Sequence, residues 1–164
     1  LQKRTESASL AAATGGITML DPSLAILRPV VVLIAWTLVM LVWMLATRLP
    51  AMSAAGIDLG KLTGTKPGDA DQALPPRAQW KAHNYNHLME QPTLFYAVAI
   101  VLALIGQGGG INAAIGWGYV ILRVLHSLVQ ALWNRVAARF ALFFLSSLAL
   151  IALTLHAALA LFLT

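Results

Sequence analysis

Gaps in the charge pattern divide the chain into apolar runs longer than any soluble core element needs. No Asp, Glu, Lys or Arg falls between Arg28 and Arg48, between Glu90 and Arg123, or after Arg139. About 20 apolar residues cross a bilayer, so the middle gap holds more than one crossing. Gly106-Gln107-Gly108-Gly109-Gly110 divides it, because a glycine cluster favours a turn over a helix. The pattern predicts four helices over about 24–49, 80–106, 111–134 and 136–163. A membrane β-barrel would alternate apolar and polar residues in segments of about 10, whereas these runs are apolar all round. The expected fold class is an all-α integral membrane protein, a four-transmembrane-helix bundle over 23–164.

The tail over 1–22 stands apart. It starts with Leu1 rather than Met, is small and polar to Thr18, and is expected to be disordered or a remnant of processing or expression. The first apolar run is too long for a signal-peptide core and is flanked by Arg28 and Arg48. Pro50 to Pro76 forms one long loop rich in Gly, Ala, Asp and Lys, expected to be a cytoplasmic flap. Its Gly64-Thr65-Lys66-Pro67-Gly68-Asp69 lacks the spacing of a phosphate-binding loop.

Two spans carry polar residues at helical spacing. His83, Asn86, His87 and Glu90 sit at i, i+3, i+4 and i+7, one face of a helix that then meets Pro92 and is expected to bend there. Tyr119, Arg123, His126, Gln130 and Asn134 make a second stripe in the third span. An ionisable side chain inside a bilayer costs roughly 2.5–3.5 kcal/mol on insertion scales, so it persists where it faces protein or trapped water. The stripes therefore point to a polar site, with a buried Arg123–Glu90 pair expected to lower the cost of both charges. They also fit two plainer readings: a helix entry at headgroup level, and an ion pair that only fixes register. Asn84 and Tyr85 fall off the first stripe, and Tyr85 reads as an interface anchor. Trp36, Trp43 and Trp117 read as lipid-facing or packing aromatics, Ser146 and Ser147 as close-packing positions, and His156 as an isolated interfacial residue. His83, His87 and Glu90 are weak as metal ligands, lacking the order of a zinc hydrolase, and no metal is expected.

Composition narrows the chemistry. The 164 residues are 59% hydrophobic and 10% charged, with a mean hydropathy of +0.77, too apolar for a soluble domain. There is no cysteine, so any thiol chemistry must use a substrate thiol. Arg48, Lys61, Lys66, Arg77 and Lys81 lie between the first two spans, Arg135 and Arg139 between the last two, and the glycine turn has no charge. Positive charge stays inside, which predicts both termini outside and the 50–76 loop in the cytoplasm. The basic residues crowd membrane edges, so the pI near 10.1 does not argue for nucleic acid, and none is expected as a partner.

With four spans, a basic loop after the first, Asn84-Tyr85-Asn86-His87-Leu88-Met89-Glu90-Gln91-Pro92-Thr93-Leu94-Phe95-Tyr96, Arg123-x2-His126 and then Arg139, the chain resembles the MAPEG family. These are membrane-associated proteins of eicosanoid and glutathione metabolism, including the microsomal glutathione transferases, and the wording looks closest to bacterial members. The resemblance implies a homotrimer in a bacterial inner membrane, surrounded by lipid. Glutathione would be the co-substrate, held between subunits near the cytoplasmic side, and a lipophilic acceptor would enter from the bilayer. By position, Asn86, Arg123 and His126 match the glutathione-binding residues and Arg139 matches the arginine that stabilises the thiolate. Arg48 matches the basic end of the first span, and Glu90 would hold the ammonium. His83, His87 and Gln130, which complete the stripes, are expected with them as glutathione-binding residues. The family's glutamate three residues after the asparagine is Met89 here, Ala82 beside Lys81 replaces an arginine, and His126 and Gln130 stand where the leukotriene-forming branch has tyrosines. These departures argue against leukotriene synthesis. The implied activity is a glutathione-dependent transferase or peroxidase for hydrophobic electrophiles; the competing reading is a non-catalytic trimer binding a lipid headgroup or a partner helix at the same stripes.

Overall fold

The computed structural model describes residues 21–61, 63–64 and 72–163. The expectations for the tail over 1–20 and for the flap at 62 and 65–71 lie outside these residues. The described elements are all helical: a 3-10 turn at Pro22–Leu24, then α1 Leu27–Ala54, α2 Pro76–Met89, α3 Gln91–Leu104, α4 Gly110–Leu132 and α5 Val136–Phe162. With α2 and α3 taken as one span, four segments are long and apolar enough to cross a membrane.

On α1 the buried residues Pro29, Val30, Leu33, Thr37 and Met40 recur every three or four positions and form the seam facing the bundle. The opposite face is also apolar but exposed, with Val31, Ile34, Leu38 and Val42 directed away from the protein. Such a helix is stable where lipid, not water, covers its outer side. It continues past the expected end, through Pro50 to Ala54. Pro50 has no amide to donate to the Ala46 carbonyl, so the helix gives up one backbone hydrogen bond close to its end.

The second span is two helices rather than one. Pro76 opens α2 at its first position, where proline costs nothing. α2 ends at Met89, Glu90 adopts φ −92° and ψ −96°, and α3 restarts at Gln91 with Pro92 in its first turn. Proline cannot donate to the carbonyl four residues back, so the expected bend is a full interruption. Thr93 seals the new start, its hydroxyl donating to the Glu90 carbonyl at 2.6 Å.

α4 lies at the centre, packed against α1, α2 and most extensively α5. Phe95 stacks on Tyr119 with ring centroids 4.4 Å apart, tying α3 to α4. Ser127 on α4 accepts from Trp36 Nε1 of α1 at 3.0 Å and from Asn84 Nδ2 of α2 at 2.6 Å, so one hydroxyl joins three helices. Trp36 is therefore a packing residue, and Asn84, set aside in the sequence, is fully buried. Gln91 Nε2 donates to Ser147 at 2.7 Å, which joins α3 to α5.

The glycine turn is fixed by contact as well as by conformation. The Gly108 carbonyl accepts from the Ile26 amide at 2.9 Å, and a side chain at Gly108 would meet the Ser23 carbonyl oxygen at 1.9 Å. Only glycine admits that approach. Asp21 caps the adjoining 3-10 turn through the Ser23 amide at 2.9 Å, which holds its carboxyl below the usual carboxylate range. His156 is not isolated: its Nδ1 meets Asn112 Oδ1 across the α4–α5 seam.

Candidate functional site

The polar stripe of α4 faces inward as expected for Tyr119, Arg123, His126 and Gln130, all buried. Asn134 leaves the stripe. α4 ends at Leu132, and Asn134 takes a left-handed conformation with φ 51°, which asparagine tolerates better than most residues. From there its Oδ1 accepts from Arg139 Nη1 at 2.6 Å and anchors that guanidinium.

Arg123 has 0% exposure. Its Nη2 donates to the His87 carbonyl at 2.9 Å and its guanidinium carbon lies 5.9 Å from the centre of the Phe143 ring. Arg123 Nε and Nη1 and Arg139 Nε are buried without a hydrogen-bond partner. The expected Arg123–Glu90 pair does not form. The helix break turns Glu90 away from α4, its side chain is 66% exposed, and its Oε2 lies 3.3 Å from His87 Nδ1.

His87, His126, Val136, Arg139, Phe140 and Phe143 line a groove of about 230 Å³ between α2, α4 and α5. The His87 and His126 rings meet edge to face at 5.8 Å between centroids. His126 is 3% exposed and packs against Phe143 at 6.5 Å. Positive potential reaches the groove from two sources. One is the Arg139 guanidinium; the other is the start of α5, which has no side-chain cap and whose first residue, Val136, forms part of the wall. Phe140 and Phe143 supply an apolar wall. Such a groove suits a small anionic group attached to an apolar partner.

Of the residues singled out in the sequence, the structure gathers His87, His126 and Arg139 around the groove, with Arg123 held behind His87 and Phe143. Gln130 is buried further along α4, its Oε1 without a partner. His83, Asn86 and Glu90 are exposed on the surface of the chain, and half-buried Arg48 sits near the end of α1, outside the groove lining. Sequence reasoning missed Asn84, Ser127 and the Val136, Phe140 and Phe143 wall. The i, i+4, i+7 spacing of Val136, Phe140 and Phe143 was a readable signal; Asn84 gave none. Among the described residues no three His, Asp or Glu side chains converge as a metal-ligand set.

Comparison with curated proteins and with solved structures returned no match. A family model does match, over residues 26–159, which covers the whole groove and nearly all of the four spans. The interior arginine, the Arg139 groove at the α4–α5 junction and the four-span bundle thus have a common setting, and the chain belongs to the MAPEG family, membrane proteins of glutathione and eicosanoid metabolism.

Proposed function

We propose that the chain is a glutathione-dependent transferase or peroxidase for hydrophobic electrophiles, with Arg139 holding the glutathione sulfur as a thiolate. The observation that carries this reading is the set of buried, partnerless guanidinium nitrogens on Arg123 and Arg139 beside an aromatic-walled groove. Buried donors without acceptors are rare in folded proteins and cost about 1–3 kcal/mol each, more where charged. Glutathione offers two carboxylates and a thiol, which suit two guanidinium groups. A free thiol with pKa near 8.5 is mostly protonated at neutral pH, and a guanidinium beside it favours the reactive anion.

One protomer supplies one wall. His83, Asn86 and Glu90 lie exposed on α2 and at its end, and in a membrane-embedded chain that polar surface suits contact with a second subunit. We place glutathione between protomers of a homotrimer, with Arg48, Asn86, Gln130, His126 and Arg123 contributing to its binding and the lipophilic acceptor arriving along the Phe140 side.

Native mass spectrometry of the purified protein with and without glutathione tests this. Three 17.5 kDa chains with glutathione bound are expected. Arg139→Leu should weaken or abolish conjugation of lipophilic electrophiles, and Arg139→Lys should recover only part, since lysine lacks the planar fork. A retained phospholipid in place of glutathione, with no conjugation and no peroxide reduction, would establish the lipid-binding reading instead.

A further inference from the structure

One residue of the groove wall makes a contact that thiol binding alone does not require. His87 Nδ1 and Glu90 Oε2 are 3.3 Å apart, and both side chains are partly exposed, 34% and 66%. Glu90 is the residue that caps the end of α2, three positions after His87, so the contact closes the last turn of that helix just before the interruption. A carboxylate at Nδ1 holds the ring proton on that nitrogen and leaves Nε2 with its lone pair. The same ring lines the groove with Arg139.

We propose that His87 is the proton acceptor that ionises the thiol bound in this groove, with Glu90 as its positioning residue; this rests on the glutathione reading above. The S–H bond breaks, an N–H bond forms at His87 Nε2, and sulfur keeps the electron pair as a thiolate beside Arg139. The thiolate then bonds to the electrophilic carbon of the acceptor. The bond from that carbon to its leaving group breaks, and the leaving group takes the electron pair. The imidazolium returns its proton to water or to the leaving group.

Charge placement favours His87 over its neighbour. The titratable and charged groups around His87 are His83 and Glu90 beside it in the chain, Arg123 and His126 on α4, and Arg139 on α5. Glu90 is the one anion in that set, and it touches His87. A proton on His126 would place an imidazolium between Arg123 and Arg139 with no carboxylate in contact. The arrangement of nucleophile, imidazole and carboxylate follows the logic of a catalytic triad, with the nucleophile brought by the substrate.

Stopped-flow absorbance of thiolate formation on mixing full-length protein with glutathione, read across the neutral pH range, tests the assignment. His87→Gln should bind glutathione within about threefold of the wild type and form thiolate roughly 10²–10⁴ times more slowly, the usual contribution of a general base. Added imidazole should restore part of the rate to His87→Ala. Glu90→Asp, which keeps the charge, should retain more of the rate than Glu90→Gln. Wild-type rates in His87→Gln with no imidazole effect in His87→Ala would overturn the dyad and leave the glutathione reading standing. Absence of glutathione binding by the wild type would overturn both.

Discussion

Arg123 is the residue on which the functional and structural readings make opposite predictions. A fully buried guanidinium with one carbonyl acceptor and two unpaired nitrogens contributes little to folding, because desolvation offsets what a single hydrogen bond returns. Replacing buried charged groups with apolar residues of similar volume is often neutral or stabilising by roughly 1–4 kcal/mol. Arg123→Met should therefore leave the melting temperature in detergent unchanged or higher while glutathione affinity falls by more than tenfold. A melting temperature several degrees lower would mark Arg123 as a structural residue. The inward direction of this side chain was legible in the sequence, since a charge in a bilayer has to face protein. Its partner was not. Helical spacing treats residues 83–90 as one continuous face, and the Glu90 backbone leaves that face at the break. Asn84 was lost to the same method, because spacing groups residues by face and cannot say that a single amide will meet Ser127 forty-three positions away.

Among the elements, α4 is the one on which the others register, and two substitutions measure how. Ser127→Ala would leave Trp36 Nε1 and Asn84 Nδ2 without their acceptor, two donors on two different helices. Burying such groups unpaired costs about 1–3 kcal/mol each in proteins at large, and measured hydrogen bonds between membrane helices average nearer 0.6 kcal/mol. A loss of about 1–2 kcal/mol is expected in reversible unfolding from detergent micelles, and a change below about 0.3 kcal/mol would show that Ser127 is a bystander. The glycine turn is the stricter case. Gly108→Ala puts a methyl group 1.9 Å from a backbone oxygen that cannot rotate away, whereas Gly106→Ala meets open space and strains only a φ of 73°. Gly106→Ala should cost about 1–2 kcal/mol, and Gly108→Ala should cost more, because the 3-10 turn must move. The existence of this turn and of four spans was legible from charge gaps and a glycine cluster. The extension of α1 past Pro50 was not, since spacing cannot say whether a helix near its end gives up one backbone hydrogen bond or stops at the proline.

At the scale of the whole molecule, the antiparallel order of the spans sorts charge by end. The end of α1, the start of α2 and the α4–α5 junction share one side, and Arg48, Lys61, Arg77, Lys81, Arg135 and Arg139 all fall there. The other side holds the glycine turn, Asp21 and Arg28. Basic residues close to membrane spans stay in the cytoplasm, so the basic end, and with it the mouth of the groove at Val136 and Arg139, should face inward. That orientation bears on the proposed function, because glutathione is a reduced cytoplasmic thiol and cannot cross the bilayer unaided. The chain lacks cysteine, so single substitutions report sidedness without background. Gln107→Cys, exposed in the turn, should react with a membrane-impermeant maleimide in intact spheroplasts. Asp58→Cys, exposed after α1, should react only once the membrane is opened. Asp58 pairs with Lys61 at 3.4 Å, but both are solvent-exposed, so removing that contact should not disturb the fold. The reverse labelling would place the groove on the outer face, away from the proposed thiol, and neither the glutathione reading nor the His87 proton acceptor would survive it.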